Sequence, residues 1–283
     1  MTPASIIITI LAYFATILAI SWFTGRKADN AGFFSGNRKQ SWYVVAFAMI
    51  GSAMSGVTFV SVPGMVAASG FGYMQMTLGF IAGQLVIAFV LVPLFYKMNL
   101  VSIYGYLENR FGISSYRTGA WFFFISKMLG ASVRLYLVCI ALQLMVFTPL
   151  GVPFHTNVLV TVLVLLAYTY RGGVKAVIWI DFLKTFCMLV SIILCTIFIS
   201  KALGFTFGSM CHAVADSGMS RIFYFDDPDH PQYFFKQFFG GMFTLIAMTG
   251  LDQDMMQRSL SCRNVKDSQK NIITSALLQT VVI

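Results

Sequence analysis

The chain has 283 residues, of which 58% are hydrophobic and only 10% charged, with a formal net charge of +9. Soluble domains carry about 25% charged residues, so this composition excludes an ordinary globular enzyme and indicates a polytopic helical membrane protein. The positive balance points to membrane topology rather than nucleic acid: no basic patch is interleaved with exposed aromatics, and cytoplasmic loops collect Lys and Arg.

The first apolar run, 3–23, lacks the basic start of a secretory signal and is about 20 residues long, which makes it a span rather than a cleaved leader. The second, 42–66, contains the stretch MIGSAMSGVTFVSVPG from Met49 to Gly64. Gly51, Gly56, Pro63 and Gly64 are poor helix formers, and Ser52, Ser55, Thr58 and Ser61 carry hydroxyls that compete for backbone partners. A break in this span is therefore expected. Further spans are predicted at 73–97, 118–148, 155–170, 176–203 and 233–251, the last interrupted by Gly240, Gly241 and Gly250. An eighth begins near 270 and is still in progress at Ile283, so the chain reads as the N-terminal part of something longer.

Charge supports this count. Thirteen of the nineteen basic residues fall on alternate loops: Arg26, Lys27, Arg38 and Lys39; Lys97, Arg110 and Arg117; Arg171 and Lys175; Arg258, Arg263, Lys266 and Lys270. The opposite loops VAASGFGYM and TPLGVPFHTN have none, and the loop 204–231 sets Arg221 against Asp216, Asp226, Asp227 and Asp229. The alternation predicts a multi-pass protein with its N-terminus outside and its basic loops in the cytoplasm; the membrane expected is the bacterial cytoplasmic (inner) membrane.

Lys127, Arg134, Asp181 and Lys184 are charges that fall within spans. Lys127 can snorkel to the inner surface, and Lys184 can pair with Asp181 three residues earlier. Arg134 lies deep in the fourth span and is always charged, so it needs a carboxylate, carbonyls or water; substrate contact and structural pairing both meet that need. The five cysteines show no paired spacing, and His155, His212 and His230 are scattered, so neither a disulfide framework nor a zinc site is expected. There is no nucleophile–base pair and no phosphate loop, so the protein is not expected to be an enzyme.

Four segments together resemble the sodium:solute symporter family: the interrupted stretch ending TFVSVPG; YGYLENRFG at Tyr104–Gly112; YRGGVKAVIWIDFLK at Tyr170–Lys184; and TGLDQDMMQRSLSCRNVKDSQK at Thr249–Lys270. They occur in the family's order, and the resemblance covers essentially the whole chain. It implies an all-α membrane protein with the inverted five-helix-repeat, leucine-transporter-type fold. On that map residues 1–283 are one membrane domain: an extra N-terminal helix at 3–23, a complete first repeat at 42–203, and the start of a truncated second repeat at 233–283. The first helix of each repeat is discontinuous, and a matched pair of interrupted spans is a sequence pointer to a midplane binding site.

The resemblance also implies roles. The carbonyls of Gly51 and Met54 would bind sodium, the coupling ion, with the rest of its shell on a helix beyond Ile283; close packing through small residues is the other reading of this stretch. Substrate positions would be Ala53, Ser55 and Thr58 on the second span, Phe71 and Gln75 on the third, Arg134 on the fourth, and Phe243, Thr244, Ala247 and Met248 on the seventh. Arg134 matches the arginine that binds the carboxylate in sialic-acid members. Asp181 lies at the expected sodium exit or forms a helix-end salt bridge with Lys184 or Lys175. Asp252 and Asp254 are placed to form gating pairs with Arg258 or the other basic residues of that loop. The function implied is sodium-driven import of a small organic solute, an acidic sugar such as sialic acid or another organic anion. A neutral-sugar or amino-acid symporter and a symporter-like sensor domain are the alternatives. Sodium, the solute and the bilayer are the expected partners of a monomer that needs no other cofactor.

Overall fold

The computed structural model describes residues 3–25, 40–54, 56–100, 102–169 and 173–283. Ser55 and the basic residues Arg26, Lys27, Arg38, Lys39 and Arg171 lie outside them. The described residues form helices α1 (Pro3–Gly25), α2 (Trp42–Ala53), α3 (Gly56–Ser69), α4 (Gly70–Lys97), α5 (Gly105–Phe111) and α6 (Ile113–Phe147). There follow α7 (Phe154–Thr169), α8 (Gly173–Ala202), α9 (Phe207–Asp216), α10 (Phe234–Gly250), α11 (Gln253–Ser259) and α12 (Val265–Val282). Four helices are long and apolar enough to cross a membrane, or six if α2 with α3 and α10 with α11 each make one bent span. The predicted fifth span, α7, is a shorter apolar helix. The predicted eighth, α12, falls outside that set because Ser268, Asn271, Ser275 and Gln279 put a buried polar stripe along it.

Both predicted interruptions exist, and the structure sharpens where each lies. In the second span the helix stops at Ala53, and Met54 is extended (φ −94°, ψ 126°). Pro63 and Gly64 sit within α3 and do not break it. In the seventh span Gly240 and Gly241 are helical. The break comes after a π segment, Ile246–Gly250, and the chain turns by 76° into α11. Gly241 instead serves packing: a Cβ there would strike the Met76 carbonyl on α4, as a Cβ on Gly79 would strike the Phe238 carbonyl, and one on Gly83 would come 2.7 Å from the Met242 carbonyl. Small residues let two membrane helices approach backbone to backbone, which is how α4 and α10 are joined. A π segment in α4, Ile87–Leu91, ends where Val92 donates to the Ile87 carbonyl, next to Pro93, which has no N–H for a regular turn.

The chain divides into two compact units, Met1–Asn37 with Val101–Ile180, and Arg38–Leu100 with Asp181–Ile283. In the first, buried Asn157 on α7 clasps α6: its amide donates to the Cys139 carbonyl (2.7 Å) and to Gln143 Oε1 (3.1 Å). Thr161 donates back to Asn157 Oδ1 at 3.3 Å. The second unit contains α2, α3, α4, α9, α10, α11 and α12, together with α8 from Asp181 onward. All five cysteines are free thiols. Burial, aided by the Asp267 charge, pushes the Cys262 thiol up to about 12, so it stays neutral.

Candidate functional site

The second unit places α2 and α8 in direct contact at the end of α2. Met54 donates its N–H to the Ile50 carbonyl and closes the helix, so the last carbonyls of α2 lie at its C-terminal end. They form the negative end of the α2 dipole. Gly51 is buried, and a Cβ there would collide with Thr185 Oγ1 and come 2.9 Å from the Asp181 carbonyl. The glycine thus answers to close packing, and that packing fixes where the end of α2 lies. Fully buried Thr185 shares its hydroxyl proton between the Asp181 carbonyl (2.8 Å) and the Phe47 carbonyl (3.0 Å). The rings of Phe47 and Phe182 pack beside it, with centroids 4.6 Å apart.

Directly against this end is an ion network. Asp181 is only 4% exposed. Its Oδ2 accepts from Ser52 Oγ at 2.9 Å and from Arg258 Nη1, and its Oδ1 accepts from Lys184 Nζ at 3.0 Å. Arg258 also donates to Ser52 Oγ, and to the Asp254 carboxylate from Nη2 (3.0 and 3.1 Å) and Nε (3.2 Å). Asp252 plays another part: it caps α11, its Oδ1 accepting from Met255 N–H at 3.1 Å. Of the predicted pairings of Arg258, the one with Asp254 is present. The predicted Asp181–Lys184 pair is present, but Lys184 is 44% exposed, and such pairs contribute about 0–1 kcal/mol. The Arg258–Asp181 pair is the shielded one. It ties α11, which follows the second interruption, to Ser52, which precedes the first.

Sequence reasoning missed Ser52 and Thr185 as parts of this centre, and missed that Arg258 reaches Asp181 as well as its neighbour Asp254. The hydroxyl beside Gly51 and the i,i+4 spacing of Asp181 and Thr185 on α8 were the available signals.

Within the second unit the described substrate positions fall in separate places. Met54 and Thr58 line a cavity of about 510 Å³ whose other walls are Phe59 and Pro63 of α3 and Met188, Ile192 and Thr196 of α8. Ala53 is exposed, and Ser55 lies outside the described residues. Phe71 donates its N–H to the Met219 carbonyl at 2.9 Å. Gln75 is fully buried with both ends of its amide bonded to backbone. Phe243, Thr244, Ala247 and Met248 share an exposed stripe of α10. Arg134 belongs to the first unit, is exposed on α6, and forms no ion pair among the described residues.

The Sodium:solute symporter family matches residues 33–283. This chain belongs to that family. Among relatives of family members, the Sodium/sialic acid symporter NanT of Aliivibrio fischeri (strain ATCC 700601 / ES114) is 26% identical over 97% of this chain and 54% of its own length. The Sodium-coupled monocarboxylate transporter 2 of Bos taurus is 31% identical over 86% of this chain and 39% of its own, and the human Sodium/iodide cotransporter is 27% identical over 87% and 38%. This symporter-family chain therefore spans about half, or less, of these relatives. A substrate-bound, outward-open structure of a Na+-coupled sialic acid symporter superposes with a TM-score of 0.82 at 20% identity, over 96% of this chain and 57% of that one. The chain accordingly shares the inverted-repeat fold that the sequence motifs implied. It is a membrane protein, and its family and structural neighbours are sodium-coupled transporters rather than enzymes.

Proposed function

We propose that the protein imports a small organic anion together with sodium by alternating access, with the N-terminus outside the bacterial inner membrane. The observation that carries this reading is the C-terminal end of α2, where the helix stops at Ala53, held against α8 at Gly51 and tied to α11 through Ser52, Asp181 and Arg258. Sodium takes oxygen ligands, and carbonyls at a helix interruption supply them without a side-chain charge. The carbonyls of Gly51 and Met54 contribute to this cation site. The cavity beside Met54 has walls that are mostly apolar. The Asp181–Arg258 pair acts as the latch that keeps α11 against α2 while the ion is bound.

Arg134 is assigned to the solute. An exposed guanidinium without an ion pair matches a carboxylate through two parallel hydrogen bonds. The sodium/sialic acid and monocarboxylate relatives support an anionic solute. The test is uptake by the complete protein in proteoliposomes, with and without an inward sodium gradient, across sugars, sialic acid and monocarboxylates. Arg134→Ala is expected to lower kcat/KM for the best carboxylate about 10- to 100-fold, the range for losing a charge-assisted bidentate contact, with Arg134→Lys intermediate. Unchanged carboxylate uptake in Arg134→Ala would refute the anion assignment.

A further inference from the structure

The third-span glutamine, Gln75, has both ends of its amide engaged by backbone. It is fully buried, and its Nε2 donates to the carbonyls of Gln232 (2.8 Å) and Gly72 (3.3 Å). Its Oε1 accepts from Tyr224 N–H at 3.1 Å. Both distant partners lie in the segment between α9 and α10, so a single amide grips that segment at two points eight residues apart. The end of α4 is shaped to receive it. Gly70 has φ +56°, and a Cβ there would come 2.7 Å from the Met219 carbonyl; a Cβ on Gly72 would come 2.8 Å from Gln232 Oε1. Phe71 N–H adds a bond to the Met219 carbonyl, and Phe234 N–H donates to the Tyr224 carbonyl at 2.8 Å.

The grip on Gln232 has a second side. Gln232 N–H donates to His230 Nδ1 at 3.1 Å, while the His230 ring stacks on Tyr224, centroids 5.5 Å apart and 6° from parallel. An imidazole nitrogen that receives an N–H carries no proton, so this bond requires neutral His230 with its proton on Nε2. Arg221 lies over the same Tyr224 ring at 4.5 Å and pairs with Asp226. His230 N–H bonds the Asp227 carbonyl, and Asp227 Oδ1 accepts from Asp229 N–H. The charged and titratable groups of this segment are Arg221, Tyr224, Asp226, Asp227 and Asp229, and those in the first turns of α4 and α10, which adjoin it, are Tyr73 and Lys236.

We infer that residues 219–233 form an acid-sensitive strap over the Gly70 end of α4, with Gln75 as the positioning residue that anchors it and His230 as its catch. Histidine is the side chain whose charge changes between about pH 5 and 8. Protonation turns Nδ1 from acceptor to donor, ejects the Gln232 N–H, and loosens the residue whose carbonyl Gln75 holds.

The test is amide hydrogen exchange of the complete protein in nanodiscs, read on peptides spanning 219–234 and corrected for intrinsic pH dependence. Corrected exchange is expected to rise about tenfold from pH 7.5 to pH 5.5 in the wild type. In His230→Phe, which keeps a ring for the stack but offers no acceptor, it is expected to be fast at both values. In Gln75→Leu it is expected to be fast at both values too, whereas peptides of α7 in either variant match the wild type. Equal corrected exchange at the two pH values in the wild type, or a pH dependence that survives in His230→Phe, would overturn the inference.

Discussion

Replacing Asp181 with alanine is expected to destabilise the protein by about 3 kcal/mol, the lower end of the range for removing one partner of a buried ion pair. The lower end applies because Arg258, 12% exposed at its side chain, keeps Asp254 as a partner, although Asp254 is 47% exposed. The loss has a second component: Ser52 Oγ loses its carboxylate acceptor. Asp181→Asn can still accept from Ser52 and is expected to cost less. Arg258→Leu, made in the Asp181→Ala background, is expected to recover part of the loss, because it removes the cation left without its buried partner. A double-mutant cycle on unfolding free energies reads this directly, with an expected coupling of about 1–3 kcal/mol. Additive effects would mean that the two side chains do not act on one another. Transport separates latch from scaffold: if the pair is a latch, Asp181→Asn, which folds, lowers the sodium affinity of uptake more than its maximal rate.

The Gly51→Ala variant is expected to be equally informative about the α2–α8 contact. Its Cβ meets the Thr185 hydroxyl and the Asp181 carbonyl at once, and only the hydroxyl sits on a side chain that can be removed. Overpacking of this kind costs about 1–3 kcal/mol. Thr185→Ala in the same chain is expected to return only part of it, since the backbone carbonyl at 2.9 Å remains. A melting series of the wild type, Gly51→Ala, Thr185→Ala and the double variant checks this. Full recovery in the double variant would place the whole conflict on the hydroxyl.

How far the sequence carried can be argued from these residues. The helices were legible because apolar run length and alternating loop charge are local signals, and α1, α6 and α8 begin or end within a few residues of the predicted spans. The break in the second span was legible because Gly and Ser crowd it. Its position at Met54 was not, since Pro63 and Gly64 looked equally disruptive and yet sit inside α3. Gly240 and Gly241 were misread for a related reason. A glycine in a membrane helix marks either a break or a close approach, and for Gly241 only the facing Met76 carbonyl decides which. The Asp181–Lys184 pair was readable at i,i+3, as was the family, from four ordered motifs. The Asp181–Arg258 pair was not, because 77 residues separate its members and no local pattern joins them. The bonds of Gln75 to the backbone of residues 224 and 232 were not legible either, because 149 and 157 residues separate the partners.

The central claim is that the end of α2 holds sodium, and the most direct measurement is the melting temperature of the purified complete protein titrated with NaCl at constant ionic strength, with KCl as the replaced salt. A ligand that binds only the folded state stabilises it by about 2.7 kcal/mol at a hundredfold excess over its dissociation constant. The account predicts a saturable rise with NaCl in the wild type that Gly51→Ala displaces to higher sodium. Superimposable NaCl and KCl curves for the wild type would contradict it.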